Sequence, residues 1–410
     1  MERLTREFSP GFTTRLVPYP YKAMFAICSD LDETPSRHVY LETMRFLNTS
    51  EDTVMGPGVN LEVGNTIYFD MPPEQFAYWN TDDQGRAMVR ELIRSGHIDC
   101  LHSFGDLATT RAHAGRALEE LEHHGCRIQA WVDHGTAITN FDDDIMQGCG
   151  DLPGSPAYHA DLTRSYGIEY VWKGRVTSVV GQNAVRSLGG IWLSSRPFRS
   201  GKTLLKEWVK GVLAKGGNVK YAMHGDNRVL RNTTLRDGQK VNEFMRCNPH
   251  WGGVSCCETA SGVAQVLTPE FLDRLITRQA ICILYTHLGK IPNREELLPE
   301  KSRAAFAMLA VRAKRKDILV ATTRRLLGYC RMLDEAVLHV QRSGDRIVVD
   351  VSYSGPSCDL DGLTLQGAEA ERIMITHNDK ALQPLQLNLP DESGKVSVSV
   401  PWSCLEFPQM

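Results

Sequence analysis

Short apolar runs alternate with amphipathic stretches over the first 330 residues. The run AMFAICSDLD (23–32) predicts a buried strand that ends in polar residues, and NTIYFDM (65–71) predicts a second. Residues 83–95 place Met88, Val89, Leu92 and Ile93 at helical spacing, and Gly96 stands where a helix stop belongs. HIDCLHS (97–103) predicts the next strand. TTRAHAGRALEELEHHG (109–125) predicts a helix with Leu118 and Leu121 inward and Gly125 closing it. RIQAWVDHG (127–135) and GIEYVWKG (167–174) predict two more strands around a helix-like stretch at 155–166, and GGIWLSS (189–195) is a further candidate. Thr268, Pro269 and Glu270 supply an N-cap, a first-turn proline and a first-turn acid for a helix over 268–279. ICILYTH (281–287), a helix near 301–315 and DILVATT (317–323) complete the series.

Strand-helix alternation at this length predicts parallel strands with crossover helices, in an open doubly wound sheet or a closed β/α barrel. No GxGxxG or GxxxxGK[ST] follows the first strand, which disfavours nucleotide-binding forms. After residue 336 the pattern changes. RIVVDVSYSG (346–355), RIMITHND (372–379) and KVSVSVPW (395–402) alternate or are β-branched, so the expected division is a barrel domain over 1–336 and a small all-β domain over 337–410. Residues 196–262 read as a long, polar, glycine-rich elaboration with little regular pattern, including HWGGVSCCE (250–258) as an edge of the site or a lid.

Composition narrows the function classes. The chain has 410 residues, 42% hydrophobic and 23% charged, with a formal net charge of −3, which excludes a disordered or fibrous chain and gives no polyanion-binding signature, so no nucleic-acid partner is expected. Eleven cysteines with no CxxC pair are not a disulfide scaffold or a zinc array. The N-terminus lacks the apolar run of a signal peptide, and no apolar run reaches the roughly 20 residues that span a bilayer. The expectation is a soluble cytoplasmic protein, with homo-oligomerisation left open.

Four strand ends hold the candidate chemistry. In CSDLDETP, Asp30 and Asp32 are two apart, so on a strand they project to one face at its carboxyl end, where α/β folds place active sites. A capping pair at a strand exit is the plainer alternative. In GHIDCLHSFGD, His102 leaves a strand and Asp106 follows four residues on; imidazole and carboxylate both suit a borderline metal, although Asp106 could equally cap the next helix. WVDHGTAITNF brings Asp133, His134 and Asn140 to a third strand end, and ILYTHLG brings His287 to a late one. Trp131, Trp172, Trp192 and Trp251 are candidate aromatic platforms at the site, though tryptophans are mostly core. His97 and Asp99 read as supporting or structural.

The order of these motifs resembles the polysaccharide deacetylase family, the NodB-type carbohydrate esterases, over about residues 20–330. SDLDET resembles its strand-end acid pair, Gly96 and His102-Ser103 its Gly-His…His-Ser/Thr segment, and CILYTH its late histidine motif. The resemblance implies a β/α barrel of seven or eight strands. It also implies one divalent metal, zinc first with cobalt, iron, manganese or nickel as alternatives, held by Asp32, His102 and Asp106. Asp30 would be the general base and His287 the acid, removing an N-acetyl group from an amino sugar or glycan. Two positions depart from the family pattern. Asp106 replaces its second histidine, and WVDHG replaces its arginine motif. His134 is then a substrate contact, a supporting group or a replacement ligand, and Asp133, Asn140 and Trp172 are further candidates for substrate contact or support. Arg246 or Arg196 would supply the missing charge beside the base. A glycosidase or amidase on the same barrel, and an inactive carbohydrate-binding relative, are the alternatives.

Overall fold

The computed structural model describes residues 7–9, 11–135, 137–185, 190–192, 197–250, 259–291 and 297–410, with the side chain of Asp32 outside that set. Its main sheet is built from β1 (Ala23–Ser29), β2 (Asn65–Ile67), β3 (Ile98–His102), β4 (Ala130–Val132), β5 (Tyr170–Trp172), β6 (Lys240–Phe244), β7 (Arg246–Cys247), β8 (Ile281–Thr286) and β9 (Ile318–Val320). These strands pair in parallel, in the order β7-β8-β1-β2-β3-β4-β5-β6, and β9 takes the amino-terminal half of the β1 edge whose end pairs with β2. An antiparallel strand, Leu230–Thr234, lies on β6, and Val176–Thr177 lies on β7. The result is a mixed α/β fold with a curled, parallel-rich, half-barrel sheet.

The burial of β1 explains why its sequence reads as an unbroken apolar run. All seven residues are buried, as expected for a central strand covered on both faces. Alternate residues nevertheless go to different places. Phe25 and Ile27 join the outer core under the helices, together with Leu101, Trp131, Val171, Cys282 and Leu284. Met24, Ala26 and Cys28 join the inner core with Cys100, Ala130, Val132, Tyr170, Trp172, Ile283 and Tyr285. This inner core continues into the helix Thr323–Glu335 and on to Ile347, Val349, Val351 and Ile375. The amino-terminal ends of the strands are therefore covered, and Asp99, near the start of β3, accepts a 2.8 Å hydrogen bond from the Arg324 amide. The carboxyl ends point the other way.

The expected helices at 83–95, 109–125, 268–279 and 301–315 form as Asp83–Arg94, Arg111–His123, Pro269–Arg278 and Glu300–Lys314. Thr268 caps its helix as anticipated, its hydroxyl accepting from the Phe271 amide. The candidate strand at 189–195 does not appear in its described part, Gly190–Trp192, which is turn-like. The elaboration at 196–262 is more regular than its composition indicates. It contains the 19-residue helix Pro197–Lys215 and the hairpin Leu230–Phe244.

The small β domain begins at Val337, directly after the helix Thr323–Glu335. A five-stranded antiparallel sheet and a four-stranded sheet compose it. Two of the five strands are N-terminal, Glu7–Ser9 and Phe12–Thr14, and the second pairs with Thr364–Gln366. Pairing between the two ends of the chain leaves no local sequence signal.

Candidate functional site

The alternation that sorts the core also selects the site. Asp30 continues the Met24, Ala26, Cys28 face one residue past the end of β1, so it enters the curled sheet rather than the helix layer. By the same count His102 follows Cys100, His134 follows Val132, and His287 follows Tyr285. Tyr68 follows Thr66 on the inner face of β2. Asp133 falls on the other parity, with Trp131. Five side chains from five neighbouring strand ends therefore meet at one mouth, and Arg246 on β7 reaches them from within the sheet.

Asp30 is the centre of this group. It is 2% exposed, and its Oδ2 lies 2.8 Å from His287 Nε2 and 3.8 Å from His102 Nε2. Its Oδ1 lies 3.7 Å from a terminal nitrogen of Arg246. Burial alone would raise the Asp30 pKa, but His102, His287 and Arg246 together hold it well below the usual carboxylate range. Arg246 is fully buried, with its guanidinium 4.0 Å from the Trp172 ring centroid and 5.3 Å from that of Tyr285. None of its three side-chain nitrogens has a hydrogen-bond acceptor among the described residues. A cation held this way rests on ring faces and on one carboxylate.

The second half of the mouth is imidazole and phenol. Tyr68 stacks on His102 at 4.2 Å, and its hydroxyl meets His134 Nδ1 at 2.6 Å and His102 Nε2 at 3.5 Å. His134 Nε2 lies 3.4 Å from Asp106 Oδ1. Burial pushes the His102 imidazole well below its ordinary pKa, with Asp30 pulling the other way. Burial also lowers His134, while Asp106 and Asp30 pull the other way. Asp106→Asn should therefore lower the His134 pKa further. A histidine-labelled NMR titration checks this, and an unchanged or raised value would break the proposed contact.

Asp106 does not cap a helix. The following helix begins at Arg111, with Thr110 and His113 as its capping pair. What brings Asp106 round is a left-handed turn: Ser103, Phe104 and Gly105 have φ of 46°, 64° and 102°. Only glycine fits the last place, because a Cβ there would lie 2.2 Å from the Asp70 carbonyl oxygen. Two consecutive non-glycine residues in this region are uncommon and mark a turn held by its surroundings.

Asp133 and Asn140 organise the His134 loop instead of facing the mouth. Asp133 accepts from Trp131 Nε1 at 2.6 Å and from the Phe141 and Asp142 amides at 3.0 and 3.1 Å; burial pushes its carboxyl up to about 7. Asn140 accepts from the His134 amide and donates to the His134 carbonyl. His159, tilted against the Trp131 and Phe141 rings, is pushed down to about 4 by burial and helps hold the same loop through Thr139. Trp172 is buried under Arg246 and offers no face to a sugar. Trp131 is equally buried. Arg196 and Trp251 lie outside the described residues, as does the Asp32 side chain. Tyr68, which the motif reading passed over, was signalled by its parity in NTIYFDM.

His102, His134 and Asp106 offer two imidazoles and a carboxylate, donor types that suit zinc or a similar ion. Their ligand atoms do not all come within 4.8 Å of one another. Among the described residues the one trio that does meet this spacing is Asp142, Asp143 and Asp144. Arg175 already lies 2.8 Å from Asp144 and 3.8 Å from Asp142, and neutralises much of that charge.

Beside the mouth lies a cavity of about 420 Å³ lined by Glu33, Glu74, Gln75, Thr259, Ser261 and Lys290 among others. Glu33 and Lys290 come from the turns just after Asp30 and His287, 3.8 Å apart. This volume falls in the usual range for small-ligand sites, roughly 300–1,000 Å³. Comparison of the chain with protein-family models, with curated proteins and with solved structures found no match.

Proposed function

We propose that this protein is a hydrolase that removes an acetyl group from an N-acetylated amino sugar or glycan, as its motif order suggests. The observation that supports this reading is the 2.8 Å contact between Asp30 and His287, set against a buried arginine at the carboxyl ends of parallel strands. In this reading Asp30 stays ionised and takes the proton of the attacking water. His287, hydrogen-bonded to the same carboxylate, returns a proton to the leaving amine. Their contact lets the proton pass between the two steps, so water and amide give acetate and amine with no net proton change in the pair. Tyr68 fixes the orientation of His134. The hydroxyl and carboxylate groups of the adjacent cavity suit a sugar ring.

A divalent metal, zinc first, would be held by His102, His134 and Asp106, with Asp32 as the fourth donor. When bound it would lower the pKa of a water and polarise the acetamide carbonyl. The same reading takes the curled sheet as a ring closed through residues 240–247. The first part of that stretch, β6, pairs with β5, and the second, β7, pairs with β8.

Two measurements on one preparation test the proposal. Elemental analysis of protein purified without chelator should find close to one transition metal per chain, depleted in His102→Ala. The same protein should release acetate from N-acetylglucosamine oligomers and leave free amines. Release of reducing ends without acetate would replace this reading with a glycosidase. Binding of the oligomers with neither product would replace it with a carbohydrate-binding protein.

A further inference from the structure

The helix Pro197–Lys215 is amphipathic in the inverted sense. Its inward positions are Ser200, Glu207 and Gly211, all buried. Glu207 is held there by Lys210 at 3.0 Å and His224 at 3.6 Å. Its outward positions are large and apolar: Phe198 is 91% exposed, Trp208 65%, Leu205 63%, and Val209 and Val212 more than two-fifths. The spacing 198, 205, 208, 209, 212 is one helical stripe at 3.6 residues per turn. Ordinary surface helices bury such a stripe. This one spends its polar face on the protein and presents its apolar face to solvent.

Charge indicates what covers it. The segment contains Arg199, Lys202, Lys206, Lys210 and Lys215 against a single acid, Glu207, which is the buried one. Lys202 and Lys215 are exposed beside the stripe. In a chain of net charge −3 this is a local reversal of sign. A second copy would set the same cations against each other across the seam, so self-association is opposed. An apolar stripe with tryptophan, flanked by lysines on a helix about 28 Å long, has the form of an interfacial helix on an anionic lipid surface. No described helix is long and apolar enough to cross a membrane.

We propose that the helix Pro197–Lys215 docks this protein on anionic membrane surfaces, its Phe198–Val212 stripe entering the headgroup boundary and its lysines meeting acidic headgroups. The proposal is independent of the deacetylase reading and goes beyond it.

Flotation of the full-length protein with phosphatidylglycerol–phosphatidylcholine vesicles and with pure phosphatidylcholine vesicles tests it. The expected result is binding to the anionic vesicles, weakened by salt, and much less to the neutral ones. Leu205→Glu with Val212→Glu should abolish it. Lys202→Glu with Lys215→Glu should weaken it by about tenfold or more. All four positions are at the surface, so melting curves should match the parent and separate lost binding from lost folding. No binding to either vesicle would overturn the proposal. So would a dimer in the absence of lipid that the Leu205/Val212 variant dissolves, or capture only by an acidic polypeptide with no vesicle binding.

Discussion

Asp30→Asn should lower kcat by about a thousandfold, the middle of the range for losing a positioned general base. The change is nearly isosteric, so the site keeps its shape while its central negative charge is lost. Two consequences follow from the contacts at this position. His287 loses the carboxylate 2.8 Å away that fixes its ring. Arg246, fully buried and 3.7 Å from the same carboxylate, loses its nearest counter-charge. Removing one partner of a buried pair costs about 3–5 kcal/mol, so the variant should also melt at lower temperature. The pH dependence separates the two effects. Asp30 is depressed in the folded state, so its contribution to stability is complete above the unfolded carboxylate value of about 4 and is lost as pH falls through the lower folded value. In Asp30→Asn that acid-side loss should disappear from the stability curve. Acetate-release kinetics at neutral pH, alongside chemical denaturation at several pH values, checks both. Turnover within tenfold of the parent in a folded Asp30→Asn protein would remove Asp30 from the chemistry.

The residues at the mouth were legible in the sequence to the extent that strand parity is. Asp30, His102, His134 and His287 each stand two past an inner-face residue, and that period is written in the runs AMFAICSD, HIDCLH, AWVDH and ICILYTH. The same rule rejects Asp133, which the motif reading kept beside His134 because it weighed chemistry without the face. It also admits Tyr68, which no catalytic motif advertises. Arg246 was identifiable as one of two candidate cations. Its depth and its ring contacts depend on Trp172 and Tyr285, 74 and 39 positions away, and no local pattern predicts that. The helix Pro197–Lys215 was missed for a different reason. The composition of 196–262, polar and rich in glycine, hid the helical stripe at 198, 205, 208, 209 and 212, whose opposite face a buried Glu207 holds inward. The pairing of Phe12–Thr14 with Thr364–Gln366 was beyond reach because the contact spans most of the chain.

Arg246→Met provides the sharpest separation of electrostatics from packing. Methionine fills a similar slot between Trp172 and Tyr285, where a thioether makes favourable ring contacts, but it removes the permanent positive charge 3.7 Å from Asp30. Arg246 is one of the groups that hold the Asp30 pKa down, against the pull of burial. Without it that pKa should rise, so the acid limb of the kcat/KM profile should move to higher pH, by about one to three units for loss of a neighbouring arginine. A base of higher pKa is intrinsically stronger. Activity well above the shifted limb should therefore fall less than activity near it, which a purely structural lesion would not produce. Stability at neutral pH should fall by about 3–5 kcal/mol, because Asp30 is then buried and ionised without its cation. Arg246→Lys is the matching control. It keeps the charge but loses the flat guanidinium that rests on the Trp172 ring, so its acid limb should stay near that of the parent while its melting temperature drops. An acid limb that is unmoved in Arg246→Met would mean that Arg246 only fills space. A limb that moves equally in both variants would mean that displacement of the rings, and not the charge, sets the Asp30 ionisation.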